Sequence, residues 1–496
     1  MNGMLDMPLV LITIAVACSF CGVLCASGNE SQDRPNVILI MLDDLGIADL
    51  GCYGGQVVKT PNIDLLAEQG VRFTNAYSGS VVCAPARCIL MTGKHSGHCS
   101  VRTNSGGVPL PDADYTIAEL VKSQGYKTAG FGKWCLGIPQ SEGDPQQQGF
   151  DHFFGYYHQS HAHIQFPEYL VRDGVREILS GNLNSKMTKD RIGFFDDSTS
   201  DDRQLEFAHY RIMSELKEFI SQNHNEDFFC YVPITMPHGR FQMPSSDPAA
   251  KKFADKDWSE KAKVAAAMIS MTDRQIGQLR QLLVDLEISQ KTMIVICSDH
   301  GPAARYEGEL NSAGPYKGFK RSVYEGGIRI PMIIHCPDLI TPKTSDLPVY
   351  LGDMITTMAD LCGGASELPT DLDSISFAPT LNDRFGEQQK HEALIWNWAR
   401  YNPNSQRYGE SMQAIRVGDW KLLRNTESDP WELYDLGRDP FEERNEAANH
   451  PQMVADLVKR IETQITNPLP QREALQVWHN EFLSTEKPGE NLSTRQ

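Results

Sequence analysis

Cys83-Ala84-Pro85-Ala86-Arg87 sets a thiol and a guanidinium four residues apart, which is one turn of a helix and one face of it. Pro85 suits a first helical turn, Ala86 to Met91 can continue the helix, and Gly93 ends it. Cys83 then stands at the positive end, where backbone N–H groups and the helix dipole favour an anion and Arg87 adds a cation. The substrate this chemistry suits is an oxyanion. Taken alone, the pentapeptide reads better as a buried cysteine on a capped helix. The company it keeps points elsewhere: Asp43-Asp44, Lys133, His238 and Asp299-His300 each follow a strand-like run. Two or three carboxylates suit a hard divalent cation, calcium or magnesium, better than zinc. Such a cation would offset the repulsion among the acids and polarise a bound oxyanion. Singly these groups are a helix cap, a loop histidine, an Asp-His-Gly turn and a solvated lysine. Jointly, in this order at successive strand ends, they describe a site.

The elements that must position them alternate. Val37 to Leu42 is an uninterrupted apolar run, as in a parallel strand buried on both faces, and it ends in Asp43-Asp44. Thr60-Pro61-Asn62-Ile63-Asp64 opens a helix that Gly70 closes, and Val71 to Tyr77 is expected to be a strand leading to the Cys83 loop. The capping box Thr116-Ile117-Ala118-Glu119 opens a helix that stops at Gly125, and a strand from Lys127 to Phe131 runs into Gly132-Lys133-Trp134. From about Ser141 to Asp202 the chain is polar and is expected to be irregular. A helix around Glu206 to Ile220 then precedes a strand from Phe228 to Val232, which leads to Pro237-His238. Val264, Met268, Met271, Leu279, Leu283 and Leu286 mark a long amphipathic helix, followed by a strand from Met293 to Cys297 that ends in Ser298-Asp299-His300. This order predicts an α/β domain around a mostly parallel sheet flanked by helices, with ligands in the crevice beyond the strands' carboxyl ends.

The pattern changes near 365–385, among Gly363-Gly364, Pro369, Asp371, Asp373 and Pro379, and we place a domain boundary there. Residues 34–370 would form the α/β domain. Residues 371–483 would form a smaller α+β subdomain carrying an antiparallel sheet. Its marks are a hairpin from Ala414 to Leu423 turning at Gly418-Asp419, a short strand from Trp431 to Leu436, and a helix from about Pro451 to Ile465. Residues 484–496 are read as a loose tail.

Composition bounds the partners. At 496 residues the chain exceeds what one hydrophobic core usually serves, and 41% hydrophobic content permits real cores. The net charge of −18 argues against nucleic acid and anionic membrane surfaces, yet a locally basic site can still hold an anionic substrate. The apolar segment Pro8 to Val23, followed by small residues and Gly28-Asn29-Glu30-Ser31, reads as a signal peptide over 1–27, although Asp6 stands where a basic residue is usual. The expected location is exported, periplasmic or secreted, with no stable membrane span. Leu24 before Cys25 disfavours a lipid anchor. Most of the twelve cysteines sit in apolar runs where a free buried thiol is the expected role, and a disulfide such as Cys88 to Cys99 stays open.

Cys83-x-Pro85-x-Arg87 followed by Thr92-Gly93 resembles the signature of the sulfatase family, and the likeness extends over nearly the whole chain after the leader. Its other marks are Asn36 to Asp44, Gly132-Lys133-Trp134, Pro237-His238, Ser298-Asp299-His300-Gly301, Gly318-Phe319-Lys320 leading to Tyr324-Glu325-Gly326-Gly327-Ile328-Arg329-Ile330-Pro331, Gly418 to Leu422 and Glu432 to Leu436. The resemblance implies an alkaline-phosphatase-like fold and a Cys83 that a formylglycine-generating enzyme oxidises to formylglycine. It implies that Asp43, Asp44, Asp299 and His300 hold calcium together with the modified Cys83, magnesium being the alternative. It further implies that a hydroxyl of the formylglycine hydrate attacks sulfur with Asp299 as base. Arg87 and Lys133 would stabilise the hydrate and the sulfate charge, and His238 and Lys320 would serve the leaving oxygen. The substrate would be a sulfated small molecule or glycan.

Two departures stand out. His300 replaces the asparagine of many members. Cys135 replaces the histidine of Gly-Lys-Trp-His-Leu-Gly, a residue held to help expel sulfate, and a thiol is a poorer base. Within Tyr156 to His163, the imidazoles of His161 and His163 are candidates for reading a sugar. Two rival readings remain: a phosphodiesterase or phosphonate hydrolase on the same scaffold, and a catalytically inert sulfated-glycan binding protein that keeps Cys83 as a thiol.

Overall fold

The apolar run after Asn36 forms β1 (Asn36–Asp43), every residue of it buried, in the middle of a ten-stranded sheet. The computed structural model describes residues 34–105, 108–183, 192–195, 205–304, 307–402, 405 and 407–470, so the leader and the C-terminal tail lie outside the described residues. The other strands of the sheet are β2 (Val71–Phe73), β3 (Lys127–Lys133), β4 (His152–Tyr156), β5 (Tyr169–Arg172), β6 (Val175–Ile178), β7 (Phe228–Pro237), β8 (Thr292–Ser298), β9 (Met332–His335) and β10 (Lys343–Ser345). They lie in the order β10-β2-β9-β8-β1-β7-β3-β4-β5-β6. The central five, β8, β1, β7, β3 and β4, are mutually parallel, while β9, β5 and β6 pair antiparallel toward the edges. This is the mostly parallel α/β sheet that the alternation predicts.

Each face of the sheet carries helices. Val37, Leu39 and Met41 point into a core shared with α2 (Cys83–Thr92), α3 (Ile117–Ser123) and α6 (Asp353–Cys362). Ile38, Ile40 and Leu42 point into the opposite core, shared with α1 (Pro61–Glu68), α4 (Ala208–Asn223) and α5 (Glu260–Asp285). The capping box at Thr116 forms as expected, the hydroxyl accepting from Glu119 N and the Glu119 carboxylate from Thr116 N.

Two expectations need correction. The stretch from Ser141 to Asp202 was expected to be irregular, yet it supplies β4, β5 and β6. The antiparallel pair β5–β6 turns at Asp173-Gly174, both at positive φ, and lies at the sheet's edge, where half-exposed residues blur the apolar alternation. The single strand expected from Val71 to Tyr77 breaks after Phe73, and Ala76–Tyr77 pairs instead with Val349–Tyr350. The open question of a Cys88–Cys99 disulfide closes with all nine described cysteines free.

Beyond the sheet, β11 (Leu394–Asn402), β12 (Arg407–Val417), β13 (Trp420–Arg424) and β14 (Glu432–Asp435) form a four-stranded antiparallel sheet, with the hairpin turn where the sequence places it. Leu394, Trp396, Ala414, Leu423 and Tyr434 pack into the core beside α2, whereas Ile395, Ile415, Leu422 and Leu433 pack on α7 (Pro451–Thr463). Among the described residues no helix is long and apolar enough to cross a membrane.

Candidate active site

Four of the parallel strands end together. Asp43 closes β1 and Asp44 follows it at φ 63, a left-handed conformation that aspartate tolerates. Lys133 closes β3, His238 follows β7, and Asp299-His300 follow β8. Lys133 reaches the site because Gly132 bends the strand at φ 133, in contact with its neighbour: a Cβ there would lie 2.2 Å from Pro233 O. Cys83 is the first residue of α2, whose end is capped by Gly93 at φ 70. The helix start carries no side-chain cap from Val82; Ala84 N instead donates to Asn104 Oδ1 at 3.0 Å.

The Cys83 thiol is fully buried and donates to Asp43 Oδ1 at 3.6 Å; it receives Lys320 Nζ at 3.4 Å and lies 3.3 Å from His300 Nε2. Arg87, equally buried, donates to Lys133 O at 2.8 Å and to Asp299 Oδ2 at 3.1 Å and lies 3.6 Å from Asp43 Oδ2, while its Nε has no hydrogen-bond partner among the described residues. Lys133 Nζ donates to Asp43 Oδ2, and Lys320 Nζ to Asp44 Oδ1. His238 Nε2 lies 3.5 Å from Asp44 Oδ2. The structure thus gathers Asp43, Asp44, Cys83, Arg87, Lys133, His238, Asp299, His300 and Lys320 into one buried group.

Opposed charges set the protonation there. Burial pushes the Asp43 carboxyl up, but the charges of Lys133 and Arg87 outweigh it and hold Asp43 well below the usual carboxylate range. Burial, aided by Asp43, raises the Cys83 thiol, but Lys133 and Lys320 bring it below its ordinary value. Burial drives His238 well below the ordinary imidazole range, so the ring is neutral. Lys133 and Lys320 are lifted despite burial, by Asp43 and by Asp44 respectively, and stay charged. Cys135 is different: burial pushes its thiol up to about 12 even with Lys133 and Arg87 nearby.

Ligand atoms of Asp43, Asp44, Cys83 and His300 all lie within 4.8 Å of one another. His300 Nδ1 lies 2.9 Å from the Gly301 carbonyl, which fixes the proton there and turns the lone pair of Nε2 toward Asp299 Oδ1, 3.3 Å away. Two acceptors so placed suit a shared cation, and without one the imidazole holds a proton: burial lowers it, but Asp299 lifts it to about 9. Three carboxylates and an aimed imidazole fit a hard divalent cation.

Of the two imidazoles proposed to read a sugar, His163 stacks on His238 with ring centroids 4.3 Å apart. His161 is not brought to Cys83: it is buried between the rings of Tyr156 and Tyr169. Sequence reasoning missed Gln159, whose Nε2 donates to Cys83 Sγ at 3.5 Å, Asn104 at the helix start, and Tyr231, whose hydroxyl receives Arg87 Nη1 at 3.5 Å. Gln159 stood in the singled-out stretch, but an amide carries no charge signal. Tyr231 and Asn104 had no signal at all.

The chain is similar to known proteins over most of its length. The family model "Sulfatase" matches residues 35–365, and "N-sulphoglucosamine sulphohydrolase, C-terminal" matches residues 315–469. N-acetylgalactosamine-6-O-sulfatase of Bacteroides thetaiotaomicron is 28% identical, the alignment covering 88% of this chain and 94% of that protein. Human arylsulfatase A is also 28% identical, over 85% of each chain. A solved Bacteroides thetaiotaomicron structure from work on the metabolism of glycosaminoglycans superposes with a TM-score of 0.69 at 27% identity, covering 87% of this chain and 99% of that one. The phosphonate monoester hydrolase of Agrobacterium radiobacter shares the fold at a TM-score of 0.62 and 21% identity, over 90% and 96% of the two chains. With a family model spanning well over half its length and relatives aligned almost end to end, the chain belongs to the sulfatase family, whose members are sulfuric ester hydrolases.

Proposed function

We propose that this sulfatase hydrolyses the sulfate ester of a sulfated carbohydrate after Cys83 has been oxidised to formylglycine by a formylglycine-generating enzyme, with calcium, or magnesium, bound by Asp43, Asp44, Asp299 and His300 together with the modified Cys83. The observation that carries this reading is the buried group around Cys83, in which three cations, Arg87, Lys133 and Lys320, face acids that a metal would otherwise neutralise. Formylglycine supplies a hydrated aldehyde as oxygen nucleophile, and the cation supplies Lewis acidity toward a sulfate oxygen. The chain's own residues do the rest. Arg87, with its unpartnered Nε, and Lys133 hold the sulfate charge where it grows, the kind of preorganised electrostatics that usually contributes most to rate. Asp299 takes the proton of the attacking hydroxyl. Lys320 remains charged and gives a proton to the leaving oxygen, while the neutral His238 orients that oxygen through a ring N–H.

The carbohydrate assignment draws on the N-acetylgalactosamine-6-O-sulfatase relative. We further infer that 1–27 exports the protein, that 34–370 carries the catalytic machinery and that 371–483 supports it. The test is the mass of the Cys83 peptide from protein made in its own host, together with turnover of matched aryl sulfate and aryl phosphate diester. Aldehyde mass and preferred sulfate cleavage are expected. An unmodified thiol would favour a sulfated-glycan binding protein, and preferred diester cleavage a phosphodiesterase.

A further inference from the structure

Gln159 reaches over the nucleophile position from the loop after β4. Its Nε2 donates to Cys83 Sγ at 3.5 Å and comes within 3.5 Å of His163 Nε2, while its carbonyl Oε1 is buried with no hydrogen-bond partner among the described residues. The same side chain lines, with Ala84, Asn104, Cys135 and His158, a small pocket beside Cys83. A buried amide carbonyl left unpaired is costly, and native proteins keep few of them. Any ester that brings its sulfur to residue 83 meets this amide, because the amide already touches the Cys83 side chain. A sulfate group offers only acceptors. It can satisfy the amide N–H but never Oε1. A donor on the alcohol half of the substrate can.

We propose that Gln159 is a specificity-determining residue that selects sulfate esters whose alcohol half carries a hydroxyl or N–H donor close to the ester. A pyranose ring supplies that arrangement and a simple aryl sulfate lacks it. This rests on the sulfatase reading above and narrows its substrate class.

The test uses two esters that differ by one hydroxyl, phenyl sulfate and 2-hydroxyphenyl sulfate. The parent enzyme is expected to favour the hydroxylated ester by about tenfold in kcat/KM, the worth of one well-placed hydrogen bond. Gln159→Leu, similar in size but without the acceptor, abolishes the preference, and Gln159→Glu, which keeps an acceptor, retains it. Calorimetric binding of the two esters to the Cys83→Ala variant shows the same contrast without turnover. A parent that cleaves both esters equally, or a Gln159→Leu enzyme with the parent's ratio, overturns the inference while leaving the sulfatase reading intact. A Cys83→Ala variant that binds neither ester, or both alike, also overturns the inference, while the mass of the Cys83 peptide tests the sulfatase reading on its own.

Discussion

At the scale of single residues, the chemistry turns on how one buried pocket divides charge among its members. Lys133 and Lys320 lower the Cys83 thiol, yet the thiol of Cys135, close enough to feel the same lysine, is pushed to about 12. Cys135 therefore holds its proton at neutral pH and cannot act as a base. The consequence falls on the half of the cycle in which sulfate leaves. The parent enzyme is expected to show a burst of released alcohol followed by slow turnover, and Cys135→His to raise the steady rate about a hundredfold, the low end of what a positioned base supplies. Cys135 lies at φ 66, a backbone conformation that histidine tolerates, so the exchange does not strain the chain. Rapid-quench kinetics decide the matter: no burst in the parent together with no gain in the variant would show that another group already does this work.

At the scale of elements, the site depends on how closely neighbouring strands approach. Gly132 on β3 faces Gly155 on β4 in register, and a Cβ on Gly155 would fall 2.1 Å from Gly132 O. The positive φ of Gly132 is what carries Lys133 to Asp43. Gly132→Ala must push a side chain into the Pro233 carbonyl as well as adopt a disfavoured φ, and is expected to cost about 3 kcal/mol of stability and most of the activity. Gly125→Ala is the control. It has a positive φ of 88 but open space around it, so the expected loss is about 1 kcal/mol with activity kept. Urea unfolding and kcat/KM of the two variants separate close packing from backbone conformation. Equal losses in both would mean that the strand contact at Pro233 gives way cheaply.

At the scale of the whole molecule, a buried charge cluster ties the antiparallel sheet to the segment that follows Lys320. Lys421 Nζ on β13 donates to Glu325 Oε1 and Glu442 Oε1, both at 2.8 Å, and Glu325 also accepts from Tyr77 and Arg329. Burial raises Glu325, but Lys421 and Arg329 outweigh it and hold the carboxyl down near 2. Burial and the neighbouring Glu325 lift Glu442 to about 7 against the pull of Lys421. The two contributions to stability run in opposite directions. That of Glu325 is present above its ordinary value of 4.5 and is lost as pH falls toward 2. That of Glu442 is complete below 4.5 and is lost as pH rises through 7. Glu442→Gln is therefore expected to flatten the decline in unfolding free energy between pH 4.5 and 7 and to leave the acid limb unchanged. Parallel profiles for parent and variant in urea melts across that range would show that Glu442 does not titrate there.

Much of this molecule was legible in its sequence because the signals were local. The buried run Val37–Leu42, the Thr116 capping box, the Pro85–Gly93 helix and the hairpin at Gly418-Asp419 each declare themselves within a few residues, where periodicity and caps act. Charged residues at the ends of parallel strands were legible too, since one topology rule sends them all to the same edge. Tertiary structure alone decided the rest. Of the strands from His152 to Ile178, β4 joins the sheet by pairing with β3, which lies well before it in the chain, while β5 and β6 add on outside β4, where edge strands keep too little buried surface to show a clean pattern. Gln159, Asn104 and Tyr231 enter the site by proximity, and neutral side chains leave no mark of that in composition or spacing. Which of these two histidines joins the site's rim was likewise a matter of packing: His163 lies against His238 while His161, two residues away, is closed between two tyrosine rings. Local sequence determines which element forms, but long-range contacts determine which of its side chains share one pocket.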